Sequence, residues 1–210
     1  MFDIVTFGSA VVDTFIDTEF NKITKSFNYP AGAKILVHNM KSDTGGGATN
    51  TATAFSRFGF KTGCICKIGN DAEGKQILDL FKKEKIKFLG KIDKKEKTGH
   101  SLILDSADRT RTILAYKGVS NYMEFSEIPK FKTKWLYFTG VLGKSFSSQV
   151  QLAKKMVANG AKLAFNPGYI NSSNDLRELL RLTYVLILNK EEAEELKKKL
   201  EAAGAKVELK

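Results

Sequence analysis

Gly45-Gly46-Gly47-Ala48-Thr49-Asn50 decides how this chain is read. Glycine allows positive φ and a close approach of backbone to a ligand. A helix that opens just beyond offers unpaired N–H groups and the positive end of its dipole. Asn50, expected on the buried side of that helix, carries both a donor and an acceptor. Together these suit a small polyhydroxylated or phosphorylated molecule. A tight turn leading into a core-packed helix would use the same residues.

Working outward, residues 2–8 read as a buried strand ending at Gly8, and 13–17 as an alternating, half-exposed strand. Pro30-Ala31-Gly32 signals a turn, and Lys34–Val37 a short strand. Residues 48–58 predict a helix with Ala48, Ala52 and Phe55 on one face, stopped by Gly59. A strand over 62–68 follows. Next comes a helix over 72–84 with Ile77, Leu80 and Phe81 inward, then strands near 87–90, 99–104 and 110–115. The last third alternates regularly: strands at 135–138, 162–165 and 184–188, helices at 146–158, 174–181 and 190–203. Such alternation implies right-handed βαβ units and a mainly parallel sheet. The polar strands around 13–17, 34–37 and 99–115 do not suit a buried core and predict a small accessory sheet, a lid. Ligands of parallel α/β sheets sit beyond the carboxyl ends of the strands. Asp13, Asn166 and Asn189, each following a predicted strand, are therefore expected on one rim.

The 210 residues suffice for one well-packed domain, and 42% hydrophobic with 10% aromatic residues is ordinary globular composition. No run approaches the apolar length of a membrane span. Met1–Val5 lacks the basic and apolar regions of a secretory leader, so the cytoplasm is the expected compartment. Cys64 and Cys66 would share one strand face. With only His38 and His100 as further soft ligands, they read as core residues, not a metal site. The net charge of +11 attracts anions. The lysine runs are interleaved with acids, however, which argues for a solvated surface over a nucleic-acid interface.

Taken together, the motifs resemble the ribokinase-type (PfkB) family of sugar and nucleoside kinases. Gly8-Ser9-Ala10-Val11-Val12-Asp13 resembles its opening strand with an acceptor-binding Asp. Gly45–Asn50, Arg57-Phe58-Gly59 and Lys67–Gly74 resemble its first signature. Thr98–Ser101 and Asp108–Ile113 look like its lid strands, and Asn189-Lys190-Glu191-Glu192 is similar to its N-x-x-E motif. The resemblance implies a ribokinase-like three-layer α/β sandwich with a mainly parallel sheet and a small β lid. The lid strands are expected at about 12–18, 34–41 and 99–116, within a single incomplete domain over 1–210. It implies acceptor contacts from Asp13, Gly45, Gly46, Gly47 and Asn50. It implies ATP-side contacts from Asn166, Asn189 and Glu192, with Glu192 organising magnesium. Asn189 and Glu192 also form a helix capping box, and the two roles are compatible. Asp13 and Asn166 could equally be turn residues, and Arg109 and Arg111 exposed strand residues. His38 and His100 receive no catalytic role.

The implied activity is ATP-dependent phosphorylation of a hydroxymethyl group on a sugar or nucleoside. The family's catalytic Asp lies in a later glycine-rich segment, and residues 192–210 hold no such motif. Little or no turnover is therefore expected of this chain alone; a polyol- or nucleoside-binding fragment, or a chimeric scaffold, is the alternative. Residues 190–210 also resemble the C-terminus of the bacterial ribosomal stalk protein, a local likeness that Glu/Lys helices reach easily. A truncated fold should expose a sheet edge, covered by Lys206–Leu209 as a replacement strand or else prone to self-association through the lid or the edge.

Overall fold

A strand buried on both faces must alternate its side chains between two covering layers, and Phe2–Phe7 does so. The computed structural model describes residues 1–18, 31–105, 111–168 and 174–202. In chain order the elements are β1 (Phe2–Phe7), β2 (Val11–Thr18), β3 (Val37–Gly45), α1 (Gly47–Arg57), β4 (Thr62–Ile65), β5 (Lys67–Gly69) and α2 (Ala72–Lys83). Then come β6 (Lys87–Phe88), β7 (Lys91–Asp93), β8 (Gly99–Asp105), β9 (Arg111–Tyr116) and two short helical turns, Gly118–Asn121 and Phe125–Glu127. The chain continues with β10 (Thr133–Thr139), α3 (Gly143–Ala158), β11 (Lys162–Asn166), α4 (Asn174–Leu182), β12 (Val185–Leu186) and α5 (Lys190–Ala202).

The main sheet has the order β12-β11-β10-β1-β4-β6, and its pairings are parallel. Val5, Phe7, Ile65, Leu136, Phe138, Leu163 and Phe165 form one core with Phe146 and Val150 of α3 and Leu179 of α4. Cys64, Cys66 and Ile68 form the other with Ala48 and Ala52 of α1 and Ile77 and Phe81 of α2. Ile65 thus faces one layer and its two cysteine neighbours the other, as a period of two requires. Both cysteines are free and fully buried. A hydrogen bond to Cys64, together with burial, pushes the Cys66 thiol well above its usual range, so it packs as a neutral core residue. At the end of the sheet, β12 leaves Val185 and Leu186 exposed.

The expected lid is a four-stranded sheet, β3-β2-β8-β9. Two strand spans and one packing residue differ from the sequence reading. The second lid strand, β3, covers Val37–Gly45 and runs straight into the glycines, whereas 34–36 is not strand. Its polar sequence hides it: pairing with β2, from Val11↔Gly45 to Thr18↔Val37, supplies what propensity does not. The single strand expected over 62–68 breaks at Cys66, and its second part pairs with β7 in a separate two-stranded sheet. On α2, Leu78 rather than Leu80 packs against the core with Ile77 and Phe81. Residues 106–110, with Arg109, and the tail 203–210 lie outside the described residues.

The Gly69-Asn70-Asp71 signature pins this lid to the body. Asp71 caps α2 by accepting from Gly74 N–H at 2.9 Å, and it accepts from Thr98 N–H at 2.8 Å, one residue before β8. The Thr98 hydroxyl donates to Asp71 while accepting from Gly69 N–H at 2.8 Å. On the lid's back face, Thr14 Oγ1 contacts Ser42 Oγ at 2.8 Å and His100 Nε2 at 2.9 Å, and His100 Nδ1 lies 3.5 Å from Glu73 Oε1 on α2. Nearby, the buried Lys67 ammonium is held by Glu127 at 3.0 Å and the Tyr122 carbonyl at 3.2 Å.

Burial raises the Asp71 carboxyl, but hydrogen bonds from Thr98 and Gly74 and the charge of Lys97 outweigh it and hold the carboxyl below its usual value. A depressed folded-state value stabilises above the unfolded pKa and is lost as pH falls through the folded one. Asp71→Asn should therefore cost about 2 kcal/mol near neutrality. Urea unfolding should show that gap closing below about pH 4; a gap constant with pH would contradict the assignment.

Candidate active site

β1 leads rightward to β4 and β10 leftward to β11, so the sheet's order reverses between β1 and β10. A crevice at the carboxyl ends follows from that reversal. Gln149 of α3, fully buried, donates from Nε2 to the carbonyls of Phe7 at 3.0 Å and Thr139 at 2.9 Å, satisfying both strand ends. The glycine turn closes over this crevice. A Cβ on Gly8 would stand 1.9 Å from Thr139 Oγ1, and one on Gly47 2.4 Å from it. Gly46, the N-cap of α1, has φ 94°, and a Cβ there would meet the Ser9 carbonyl oxygen at 2.5 Å. Backbone must therefore touch backbone here.

The same turn packs against the lid. A Cβ on Gly45 would overlap the Asp13 carboxylate, at 1.9 Å from Oδ2. Asp13, Gly46 and Asn50 line one cleft of about 480 Å³, together with Ser9, Asp43 and Ser101. The lid wall is ordered by register. Asp13 lies opposite Asp43 on one side and Ser101 on the other. Two residues outward, Phe15 lies opposite Ile103, which lies opposite Ile113. Asp13 is half-buried, and its carboxylate is neither hydrogen-bonded nor ion-paired among the described residues; the exposed Arg111 and Lys117 side chains are likewise unpaired among them. These unpaired groups leave the cleft equipped for a polar guest.

A second pocket, about 420 Å³, adjoins at the rim and includes Ser9, Gly47, Lys117, Thr139 and Asn166. Ser9 and Lys117 line both. The buried hydroxyls Thr139 Oγ1 and Ser120 Oγ of this pocket have no hydrogen-bond partner. Asn166 Nδ2 donates to the Ile187 carbonyl at 3.0 Å, and among the described residues its Oδ1 and second N–H have no partner.

Two sequence expectations need correction. Asn50 is exposed rather than buried, and it faces the cleft. The α1 start is also not a set of free amides: Gly47 N–H donates to Ser9 Oγ at 3.3 Å and Ala48 N–H to the Ser9 carbonyl at 3.1 Å. Ser9 had no role in the sequence reading, because a serine after a strand-end glycine carries no signature of its own. Asp43, Phe15, Lys117 and Thr139 were likewise not singled out. Asp43 could have been found by counting the alternation back from Gly45 once that stretch is known to be strand.

Asn189 and Glu192 line neither pocket. Glu192 N–H donates to Asn189 Oδ1 at 2.7 Å and Asn189 N–H to Glu192 Oε2 at 3.0 Å, the reciprocal capping box of α5. Among the described residues no three His, Cys, Asp or Glu side chains gather as a cation site. Magnesium needs fewer, since one or two carboxylates with phosphate oxygens and waters suffice. Glu192 Oε1 has no partner among the described residues and could make such a contact.

A strand-reversal crevice under a β lid, with a glycine turn between them, is the arrangement of a small-molecule site on an α/β sheet. The chain matches the model of the pfkB family carbohydrate kinases over residues 1–209, and it belongs to that family. It is 28% identical over 198 residues to a Staphylococcus aureus ribokinase, covering 91% of this chain and 62% of that protein. It is 26% identical over 145 residues to an uncharacterized sugar kinase of Archaeoglobus fulgidus, covering 66% of this chain and 58% of that one. The crystal structure of Methanocaldococcus jannaschii nucleoside kinase superposes with a TM-score of 0.77 at 21% identity, over 95% of this chain and 64% of that one. The chain thus spans about 60% of the length of its curated relatives.

Gly46→Ala forces an L-residue to φ 94° against the Ser9 carbonyl. It should cost about 2 kcal/mol, a fall of roughly 4–8 °C in the thermal midpoint. An unchanged midpoint in a thermal melt would contradict the tight turn.

Proposed function

We propose that this chain holds the acceptor in an ATP-dependent kinase that phosphorylates a hydroxymethyl group of a sugar or nucleoside. The observation that carries the reading is the unpaired Asp13 carboxylate, packed on Gly45 in the cleft shared with Gly46 and Asn50. A carboxylate accepts from two neighbouring hydroxyls, and Asn50 adds a donor and an acceptor. Held so, the acceptor directs its hydroxymethyl group past Gly46 toward the rim pocket.

Phosphoryl transfer asks mainly for positioning and charge stabilisation. At the rim these would come from the α1 dipole, the unpartnered Thr139 and Ser120 hydroxyls, and Lys117, which faces both pockets. Because Ser9 occupies the first two α1 amides, that helix acts through its dipole more than through free N–H groups. Bound magnesium–ATP would supply the phosphoryl group and neutralise its charge, with Asn166, Asn189 and Glu192 as the residues to hold it. Asp13 is committed to acceptor hydroxyls, and no glycine-flanked Asp follows Glu192 in these 210 residues. Turnover by residues 1–210 alone is accordingly expected to be small, whereas acceptor binding should persist.

Calorimetry against a panel of sugars and nucleosides tests this. Asp13→Asn should weaken acceptor binding about tenfold or more, the loss of one charged hydrogen-bond acceptor, without lowering the thermal midpoint. Equal affinity in the variant would remove Asp13 from the site. Steady ATP-dependent product formation by residues 1–210 would overturn the expectation of low turnover.

A further inference from the structure

The register of the lid places two chemically different rows along the cleft. Asp43, Asp13 and Ser101 form the inner row, one residue on each of three paired strands. Phe15, Ile103 and Ile113 form the next row, two residues further from the glycine turn. A two-residue step on a strand is about 6.8 Å. All six residues line the same cleft.

The inner row sets two carboxylates directly opposite each other, which is unfavourable unless donors lie between them. Asp43 Oδ1 accepts from Thr44 N–H at 2.8 Å, and its other oxygen has no partner among the described residues. A pair of adjacent ring hydroxyls supplies the missing donors, one to each carboxylate. The outer row asks for something else. Phe15 is half-buried and Ile113 is 53% exposed. A bare sugar would meet this row with hydroxyls or not reach it. A flat heterocycle would cover it, and Arg111, one row beyond on the Ile113 face, offers guanidinium donors to its edge.

We propose that the acceptor is a nucleoside, its ribose hydroxyls on Asp13 and Asp43 and its base against Phe15, Ile103 and Ile113. The assignment rests on the acceptor-site reading above and narrows it. The order from the glycine turn outward is then hydroxymethyl group, ribose hydroxyls, base. That order matches the connectivity of a nucleoside, whose base and 5′-hydroxymethyl group leave opposite ends of the ring. The two-residue step is about the span from the hydroxyl edge of ribose to the middle of its base. Asp43 becomes an acceptor-binding residue and Phe15 a specificity residue.

The test titrates residues 1–210 with adenosine and, separately, with D-ribose by calorimetry. Adenosine should bind about tenfold or more tighter, the advantage expected of stacking one base on an aromatic ring. Phe15→Leu, which keeps the apolar volume but removes the ring, should cut most of that advantage and leave ribose affinity unchanged. Ribose binding as well as adenosine in the wild type would overturn the nucleoside assignment while keeping the acceptor site. Failure of both ligands to bind would overturn the acceptor site and the assignment with it. Should Phe15→Leu fail to fold, the wild-type ratio of the two affinities decides alone.

Discussion

The Thr139 hydroxyl sits where neither Gly8 nor Gly47 leaves room for a side chain, and the architecture of the site hangs on that contact. It lets the start of α1 settle onto the ends of β1 and β10. Close packing of this kind does not tolerate even one added methyl without displacement. Because β3 runs directly into the same turn, seating α1 also fixes Gly45, and Gly45 fixes Asp13. One backbone approach therefore sets the distance between the lid carboxylates and the rim. Ser9 ties the arrangement together by accepting from two α1 amides. Gln149 satisfies the two carbonyls that the diverging strands leave behind.

Much of this was legible in the residues. Alternating strands and helices gave the parallel sheet because buried β1, β10 and β11 have the apolar runs that two covered faces demand. The glycine triplet marked the turn because a positive φ and a close approach have few other solutions. Less visible was β3, whose stretch His38–Thr44 is polar apart from Met40 and becomes a strand only by pairing with β2. The break at Cys66 was invisible for a related reason: no Gly or Pro stands there to mark it, and the residues alone do not reveal which strand partners each half will find. Site residues divided along the same line. Asp13 and Asn50 stand in a signature, whereas Asp43 and Phe15 acquire meaning only from cross-strand register, and Lys117 only from its place beside both pockets. The Asn189–Glu192 pair shows the converse, a motif whose local capping role is fully realised while its side chains line neither pocket.

The lid does not hang loosely from this frame. Asp71 joins the α2 start to the residue that opens β8, and the Thr14–His100–Glu73 contacts join the lid's back to the same helix. Its front presents the Asp13 and Arg111 side chains, unpaired among the described residues, and an apolar row in which Ile113 is exposed, Phe15 half-buried and Ile103 buried. A rigid back with an unsatisfied front is the condition for binding without large rearrangement, since the ordering cost is met when the chain folds.

Amide hydrogen exchange with and without a saturating acceptor, adenosine or D-ribose, tests the central claim most directly. If Asp13 and the glycine turn form one wall around the guest, exchange at residues 11–15 and 45–50 should slow together on binding. Ligand binding that leaves both segments unchanged, or protects one without the other, would contradict it.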